Sequence, residues 1–483
     1  MIHGFSARQT TRTETVAAPR ALLTFIGRLV LAACFLTACS PGAAQHPAIQ
    51  AAADTPASPT SSRSPQPSPT GVPTVAATPT TVLTPLIPPT ITPEPIQPAA
   101  EAPALLLPDA EVVYSPTALD FDPAAFLIQA DGYLAGFREY LASTGWTSAA
   151  DVLMRVARES SINPRLLLAL IEYQNRCVLG QPDPDFQIEY LMGDFDFHHK
   201  GFYRQLSWVA SQLSAGYYGW RDGTLSEFSL VDGIIVRPAP DLNPGSVALQ
   251  FYFSRLKDQP GWQKATDPDQ GLVATYKEMF ADPWKRSAAV EPLLPDGLTQ
   301  PELILPFEID RLWSLTSGPH PAWDIVGAQA ALDFAPSTNI SGCVRSDAWV
   351  VAAADGTIVR AESGAVIQDI SGDNIEQTGW AILYMHIANE GRVSPGSYLH
   401  AGDPVGHPSC EGGRATGTHL HIARKYNGEW IAAGGSIPFV LSGWTAHNGP
   451  LPYQGSLTRD ELTVTANLYG ISESHIVRKL SDD

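Results

Sequence analysis

Residues 40–108 of this 483-residue chain cannot build a core, so whatever folds must lie after them. The stretch is rich in Pro, Thr, Ser and Ala, as in "SPTSSRSPQPSPTGVPTVAATPTTVLTPLIPPTITPEP". It has too few large apolar side chains to offset the entropy of ordering, and its prolines favour extended backbone. Sixty residues of this kind span up to roughly 190 Å as polyproline II and on the order of 45 Å as a flexible coil. It reads as a disordered Pro/Thr-rich linker.

Residues 1–39 read as a targeting segment. Arg20 and Arg28 flank the start of an apolar run, "LVLAACFLTAC", which is too short for an ordinary membrane-spanning helix. Leu36-Thr37-Ala38-Cys39 looks like a bacterial lipobox, in which Cys39 is lipidated and becomes the mature N-terminus. A plainly cleaved signal with an incidental cysteine is the alternative. The polar tail that follows favours the lipoprotein, exported and lipid-anchored to the cell membrane, facing the cell wall or periplasm. Several acyl chains, at about 0.8 kcal/mol per buried CH₂, anchor stably. The chain carries 49 Asp+Glu against 30 Lys+Arg, a balance that argues against nucleic acid as a partner.

The remainder divides into a mostly helical region, 109–295, and a strand-patterned region, 296–455, with a polar tail, 456–483, making a multidomain α+β protein. "DPAAFLIQADGYLAGFREYLAS" and "SAADVLMRVARESS" carry apolar residues at helical spacing. Asn163-Pro164 opens "RLLLALIEYQN" as cap and first helical residue. Asp222-Gly223 and Asp232-Gly233 punctuate a hairpin through "TLSEFSLVDGIIVRP". In the strand-patterned region, Asp355-Gly356 and Asn427-Gly428 are hairpin signals. In "AILYMHIA", alternation puts Ile382, Tyr384 and His386 on one face and Leu383, Met385 and Ile387 on the other.

Gly417-Thr418-His419-Leu420-His421 places two imidazoles on one face of a strand. With His320, Asp333 and His386 they supply four histidines and a carboxylate, enough for a hydrolytic zinc site. A catalytic zinc takes three protein ligands and keeps a fourth position for water, whose pKa it lowers to about 7. His320, Asp333 and His421 give such a set. His400, His407 and His447 read as ordinary surface or satisfied histidines.

Over roughly residues 303–455 the chain resembles the lysostaphin/LytM class of zinc endopeptidases, which cleave the peptides of bacterial peptidoglycan. The resemblance rests on "SGPH", "ALDFAP", "VVAAADGTIVRAESG", "AILYMHI" and "HAGDPVGHPSCEGGRATGTHLHIA". It implies that His320, Asp333 and His421 hold Zn2+, while His386 and His419 position water, shuttle protons and stabilise the oxyanion. The commonest family spacing puts the aspartate at Asp324. Asp333 is preferred because it sits in the apolar, strand-like "AALDFA" and precedes "VVAAADG"; this longer spacing looks like the β-lytic and LasA-type branch. The expected domain is a compact antiparallel sheet with the site in an open groove.

With Cys34 removed in the signal and Cys39 lipidated, Cys177, Cys343 and Cys410 remain. Cys343 and Cys410, flanking the site segments, can form a disulfide in an oxidising compartment. Cys177 is left over and reads as buried.

"INPRLLLALIEYQN" resembles the start of the lysozyme-like lytic transglycosylase fold. Gln174 stands where that family carries its acid, and Glu172 is rotated roughly 200° away around a helix. An amide cannot act as the general acid, so this domain is expected to be non-catalytic. Trp208, Tyr217, Tyr218 and Trp220 fit either a glycan-strand surface or the domain's own core. The expected activity is a membrane-anchored zinc endopeptidase acting on cell-wall peptides. The alternatives are an inactive wall-binding lipoprotein and an activator of another wall hydrolase.

Overall fold

The computed structural model describes residues 105–338 and 340–482; Cys39 and the expected lipobox lie outside the described residues. The helical region begins earlier than the expected residue 109. Leu106 and Leu107 are buried, and the Leu106 N–H donates to Ser246 Oγ at 2.8 Å.

Helix α1, Pro123–Ala130, starts as its sequence dictates. Asp122 accepts from the N–H groups of Ala124 and Ala125, and proline occupies the first turn. The helical pattern read through "YLAGFREYLAS" does not continue. Asp131 turns left-handed at φ 52° and ends the helix, and Arg138–Leu141 instead pairs antiparallel with Gly145–Ser148. Helix α2, Ala149–Ser160, is capped by Ser148, and α3, Pro164–Asn175, by Asn163, whose side chain accepts from the Arg165 N–H. Helix α4, Phe202–Arg221, buries Leu206, Val209, Leu213 and Tyr217 and packs along α5, Pro244–Ser254. The hairpin expected around Asp232-Gly233 is present, pairing Phe228–Ser229 with Ile235–Val236.

The C-terminal region is built on a nine-stranded sheet. Its strands are β1 Leu312–His320, β2 Ala331–Pro336, β3 Gly356–Glu362, β4 Ala365–Asp369, β5 Trp380–Met385, β6 Tyr398–Leu399, β7 Leu420–Tyr426, β8 Glu429–Trp430 and β9 His475–Val477. The order is β6-β3-β4-β5-β7-β2-β1-β9, with β8 returning on β7, and every pair is antiparallel. Asn427 and Gly428, at φ 48° and 81°, make the β7–β8 turn as a two-residue hairpin requires. Asp355-Gly356 makes no hairpin: the strand before it, Val350–Val351, pairs with Pro404–Gly406, and β3 pairs with β4 across Ser363-Gly364. A turn dipeptide sets a local reversal, not which strands pair.

The tail drawn as a separate segment, 456–483, is part of this domain. Gly455–Arg459 and Leu462–Thr465 complete a four-stranded sheet with Val440–Leu441 and Trp444–Asn448, and β9 forms the edge of the main sheet against β1.

The main sheet has two covered faces. Leu332, Phe334, Ile382, Tyr384, Leu420 and Ile422 pack with Phe439, Trp444 and Leu457 of the C-terminal region. Ala331, Ala365, Ile367, Leu383, Met385 and Ala423 belong to an apolar cluster that continues into the helical region. By alternation, Asp333 and His421 stand on this second face.

Candidate functional site

Strand register brings the site together. His421 on β7 is directly opposite Asp333 on β2, and Met385 at the end of β5 is opposite His421 on its other side. The β1–β2 register slips twice, between Leu315 and Ser317 and again before His320, and these irregularities bring His320 beside Asp333. His320 Nε2 lies 3.3 Å from Asp333 Oδ1, His421 Nδ1 lies 3.2 Å from the same oxygen, and the two nitrogens are 3.0 Å apart.

Each imidazole is fixed by a backbone carbonyl, which can only accept. His320 Nδ1 donates to Gly318 O at 2.8 Å, His421 Nε2 to Ala322 O at 3.0 Å, His419 Nδ1 to Gly417 O at 2.8 Å and His386 Nδ1 to Glu411 O at 3.1 Å. The other nitrogen of each ring therefore keeps its lone pair, the arrangement that orients metal-binding histidines. The lone pairs of His320 and His421 face one another and a carboxylate.

Such a cluster calls for a cation. Asp333 Oδ1 is buried and makes no well-formed hydrogen bond. Ligands sharing a tetrahedral zinc at about 2.0–2.1 Å sit about 3.3 Å apart, close to the separations observed. The residues present fit zinc, and His320, Asp333 and His421 are the only group of at least three potential ligands so arranged among the described residues. Electrostatics agree. Burial opposes ionisation of Asp333, yet attraction to the neighbouring His320 and His419 outweighs it and holds the carboxyl well below its usual range. Burial lowers His320 too, but Asp333 beside it raises it overall. Burial lowers His421, and burial with His419 and His421 nearby pushes His386 down to about 3.

His419 and His386 stand next to this cluster. Their ring centroids are 4.4 Å apart, and His419 Nε2 is 3.6 Å from Asp333 Oδ1. His386 reaches the site by a route the sequence did not show. Its φ of 65° breaks the strand alternation, so Ile387 joins Ile382 and Tyr384 in the core and His386 does not share Tyr384's surroundings. Tyr384 is buried elsewhere, its hydroxyl donating to Gln368 Oε1 at 2.8 Å and accepting from the Ala353 N–H at 2.7 Å.

The cluster is recessed, not open: His320 is 3% exposed, Asp333 7%, His386 2% and His421 7%. Tyr453, which sequence reasoning did not single out, stacks on His320 with ring centroids 4.6 Å apart. Its loop braces β1, since the Gly318 N–H donates to Tyr453 O and the Tyr453 N–H to Pro319 O. Gly318 is required there, because a Cβ would stand 2.5 Å from Gln454 O. The signal for Tyr453 was an aromatic in a Gly/Pro-rich loop, which spacing alone does not link to a site.

Cys343 and Cys410 are disulfide-bonded, with Cα atoms 5.7 Å apart. The bridge joins the two loops that hold site residues: Gly342 O accepts from the Thr418 N–H, and Glu411 O holds His386. Cys177 is buried and free, and burial pushes its thiol up to about 12. Asp324 lies in the loop after His320 and is no part of the ligand triad. His400 pairs with Asp355, His407 donates to Ala348 O and His447 bonds Thr458, all apart from the cluster.

In the helical region, Glu172 Oε2 accepts from the N–H groups of Val178 and Leu179, both at 2.9 Å, and so holds a turn. Gln174 bonds Tyr252 and Lys257. The aromatics offered as a glycan surface are largely packed away. Tyr217 and Tyr218 are buried against β8, with Tyr218 Oη accepting from the Trp430 N–H at 3.0 Å, and Trp220 donates to Leu242 O. Trp208 is half-buried.

Residues 338–433 match Peptidase family M23, and residues 105–293 match the LasA N-terminal domain. The M23 match covers His386, His419 and His421; His320 and Asp333 precede it and join them through geometry. Protease LasA of Pseudomonas aeruginosa is 26% identical over 347 residues, covering 69% of this chain and 76% of that protein. Among solved structures, the M23 metalloprotease pseudoalterin from the deep sea is 22% identical with a TM-score of 0.29, covering 35% of this chain and 96% of that one. The catalytic domain of lysostaphin from Staphylococcus simulans is 23% identical with a TM-score of 0.18, covering 25% and 87%.

Proposed function

Because the chain belongs to the LytM/LasA-type M23 peptidases, a zinc-dependent family, we propose that it is an exported, lipid-anchored endopeptidase hydrolysing peptide bonds of bacterial peptidoglycan. The observation that carries the reading is the buried triad of His320, Asp333 and His421, with His386 and His419 beside it. The Leu36–Cys39 motif and the linker support the anchor and its reach toward a wall.

His320 Nε2, Asp333 Oδ1 and His421 Nδ1 would hold the zinc, which supplies Lewis acidity toward water and the scissile carbonyl. The remaining work falls to this chain's side chains. One of His419 and His386, through its Nε2, accepts a proton from the attacking water and returns it to the leaving amine. While it carries that proton, this imidazole donates to the oxyanion that develops at the scissile carbonyl. Burial keeps the His386 imidazole neutral. Tyr453 stacks on His320 and covers one face of its ring.

The helical region has no glycosidase role in this reading, because Glu172 is engaged with backbone and Gln174 cannot donate as an acid. The test is zinc content together with release of free amines from purified peptidoglycan, for the wild type beside H421A. About one zinc per chain, with amine release lost in H421A, is expected. A folded wild type without zinc or cleavage overturns the proposal.

A further inference from the structure

Asp324 sits at the spacing where a metal ligand was a candidate, yet its carboxylate is engaged across the domain boundary. Asp324 Oδ2 accepts from Ser211 Oγ of α4 at 2.6 Å. The loop it belongs to, residues 321–330, leaves His320 and enters β2 just before Asp333.

This loop is fixed at three places. The Ala322 N–H donates to Ala328 O at 3.0 Å and closes it on itself. Ala322 and Ala328 are buried in the apolar cluster that the helical region shares, and Trp323 packs against that cluster. Gly327, at φ 111°, lies against α4, where a Cβ would come 3.2 Å from Ser214 Cβ. The loop is therefore seated on helix α4 as much as on the sheet.

It meets the metal cluster through the Ala322 carbonyl, which accepts from His421 Nε2 at 3.0 Å. That bond selects the His421 tautomer that turns a lone pair at Nδ1 toward Asp333 and His320. His320 takes its equivalent support from Gly318 on its own strand. His421 takes it from a loop whose position α4 sets.

We propose that α4 is a working part of the metal centre: Ser211 and Asp324 form a strut that positions the Ala322 carbonyl, and through it the metal-binding nitrogen of His421. Asp324 is then a positioning residue, and the helical domain contributes to metal retention while docked. The inference rests on the metallopeptidase reading above.

The experiment is zinc competition against a chromogenic chelator, with kcat and KM on peptidoglycan peptide in parallel, for wild type, S211A, D324A, D324N and S211A/D324A. D324A and S211A are each expected to weaken zinc retention about tenfold, the low end for outer-shell partners. The double variant loses no more than either single, because both remove one contact. D324N, whose amide oxygen still accepts from Ser211, stays near wild type, and kcat falls with zinc retention while KM holds. Unchanged zinc retention in D324A overturns the strut. D324N losing zinc as fully as D324A also overturns it, since the charge itself would then matter. Additive losses in the double variant do the same. A wild type that takes up no zinc overturns the metallopeptidase reading and this inference together.

Discussion

Glu429 offers a quantitative test of how the helical region grips the sheet. It lies on β8, is 1% exposed, and its Oε2 accepts from Tyr217 Oη at 3.2 Å and from Arg221 at 2.7 Å. Burial raises its carboxyl, Arg221 pulls it down and Asp109 pushes it up, for a net rise from 4.5 to about 7. The sign follows from proton counting. Between pH 4.5 and 7 the unfolded chain has released this proton while the folded protein keeps it, so stability falls as pH rises across that window and is level above it. At about 1.4 kcal/mol per pH unit the loss across that window is about 3.5 kcal/mol. This is an upper figure, because Arg221 is 32% exposed and solvent screens its side of the pair. E429Q keeps an acceptor for Tyr217 and Arg221 and cannot ionise. In a chain of this size 1 kcal/mol moves the melting point by about 2 °C. E429Q is therefore expected to melt roughly 3–6 °C above wild type at pH 8, and within about 1 °C of it at pH 4.5, by differential scanning calorimetry. A variant that melts below wild type at pH 8 shows instead that the ionised pair is net stabilising, and the linkage argument fails.

Other outcomes follow from the site. D333N loses zinc outright on dialysis, because the triad loses its carboxylate charge and a neutral amide is a weak ligand, whereas D324N keeps about one zinc per chain by elemental analysis. H386A and H419A retain zinc but lower kcat by about 10²–10⁴, the range for removing a proton-transfer group, in an amine-release assay. Reduction of Cys343–Cys410, which closes a 67-residue separation, costs about 4 kcal/mol in the chain-entropy treatment and shows as a lower denaturant midpoint.

The sequence exposed what depends on short spacings. His419 and His421 fall on one face because residues two apart in extended backbone do so, and Asp333 was favoured because its apolar strand can hold a ligand rigidly. Asn163-Pro164 marked a helix start and Asn427-Gly428 a hairpin because each dipeptide meets a backbone requirement locally. The failures were long-range or conformational. His386 adopts a left-handed backbone that ends the alternation, so counting along "AILYMHI" put Ile387 on the wrong side. Tyr217 and Tyr218 have the composition of a sugar-binding surface, but their partners, Glu429 and the Trp430 N–H, are 212 residues away. The tail's strands likewise depend on partners far back in the chain, with β9 pairing onto β1.

The placement of the metal site on the sheet gives these contacts a common cause. A strand that sets a site residue between large apolar ones, as β7 does with His421 between Leu420 and Ile422, buries one face in its own core. The other face then carries the ligands, and beside them Ala331, Leu383, Met385 and Ala423, which water would leave exposed. Covering those side chains while leaving the recessed site its own surroundings requires an element that stops short of the site. The helical region does this: it packs over the apolar part of the face, takes the β7–β8 turn through a bond from Ser161 Oγ to Gly428 O at 2.6 Å, and meets the loop beside the ligands through Ser211. The edge of the covered surface thus falls at residues 321–330, where Ser211 of α4 meets Asp324 and the Ala322 carbonyl meets His421.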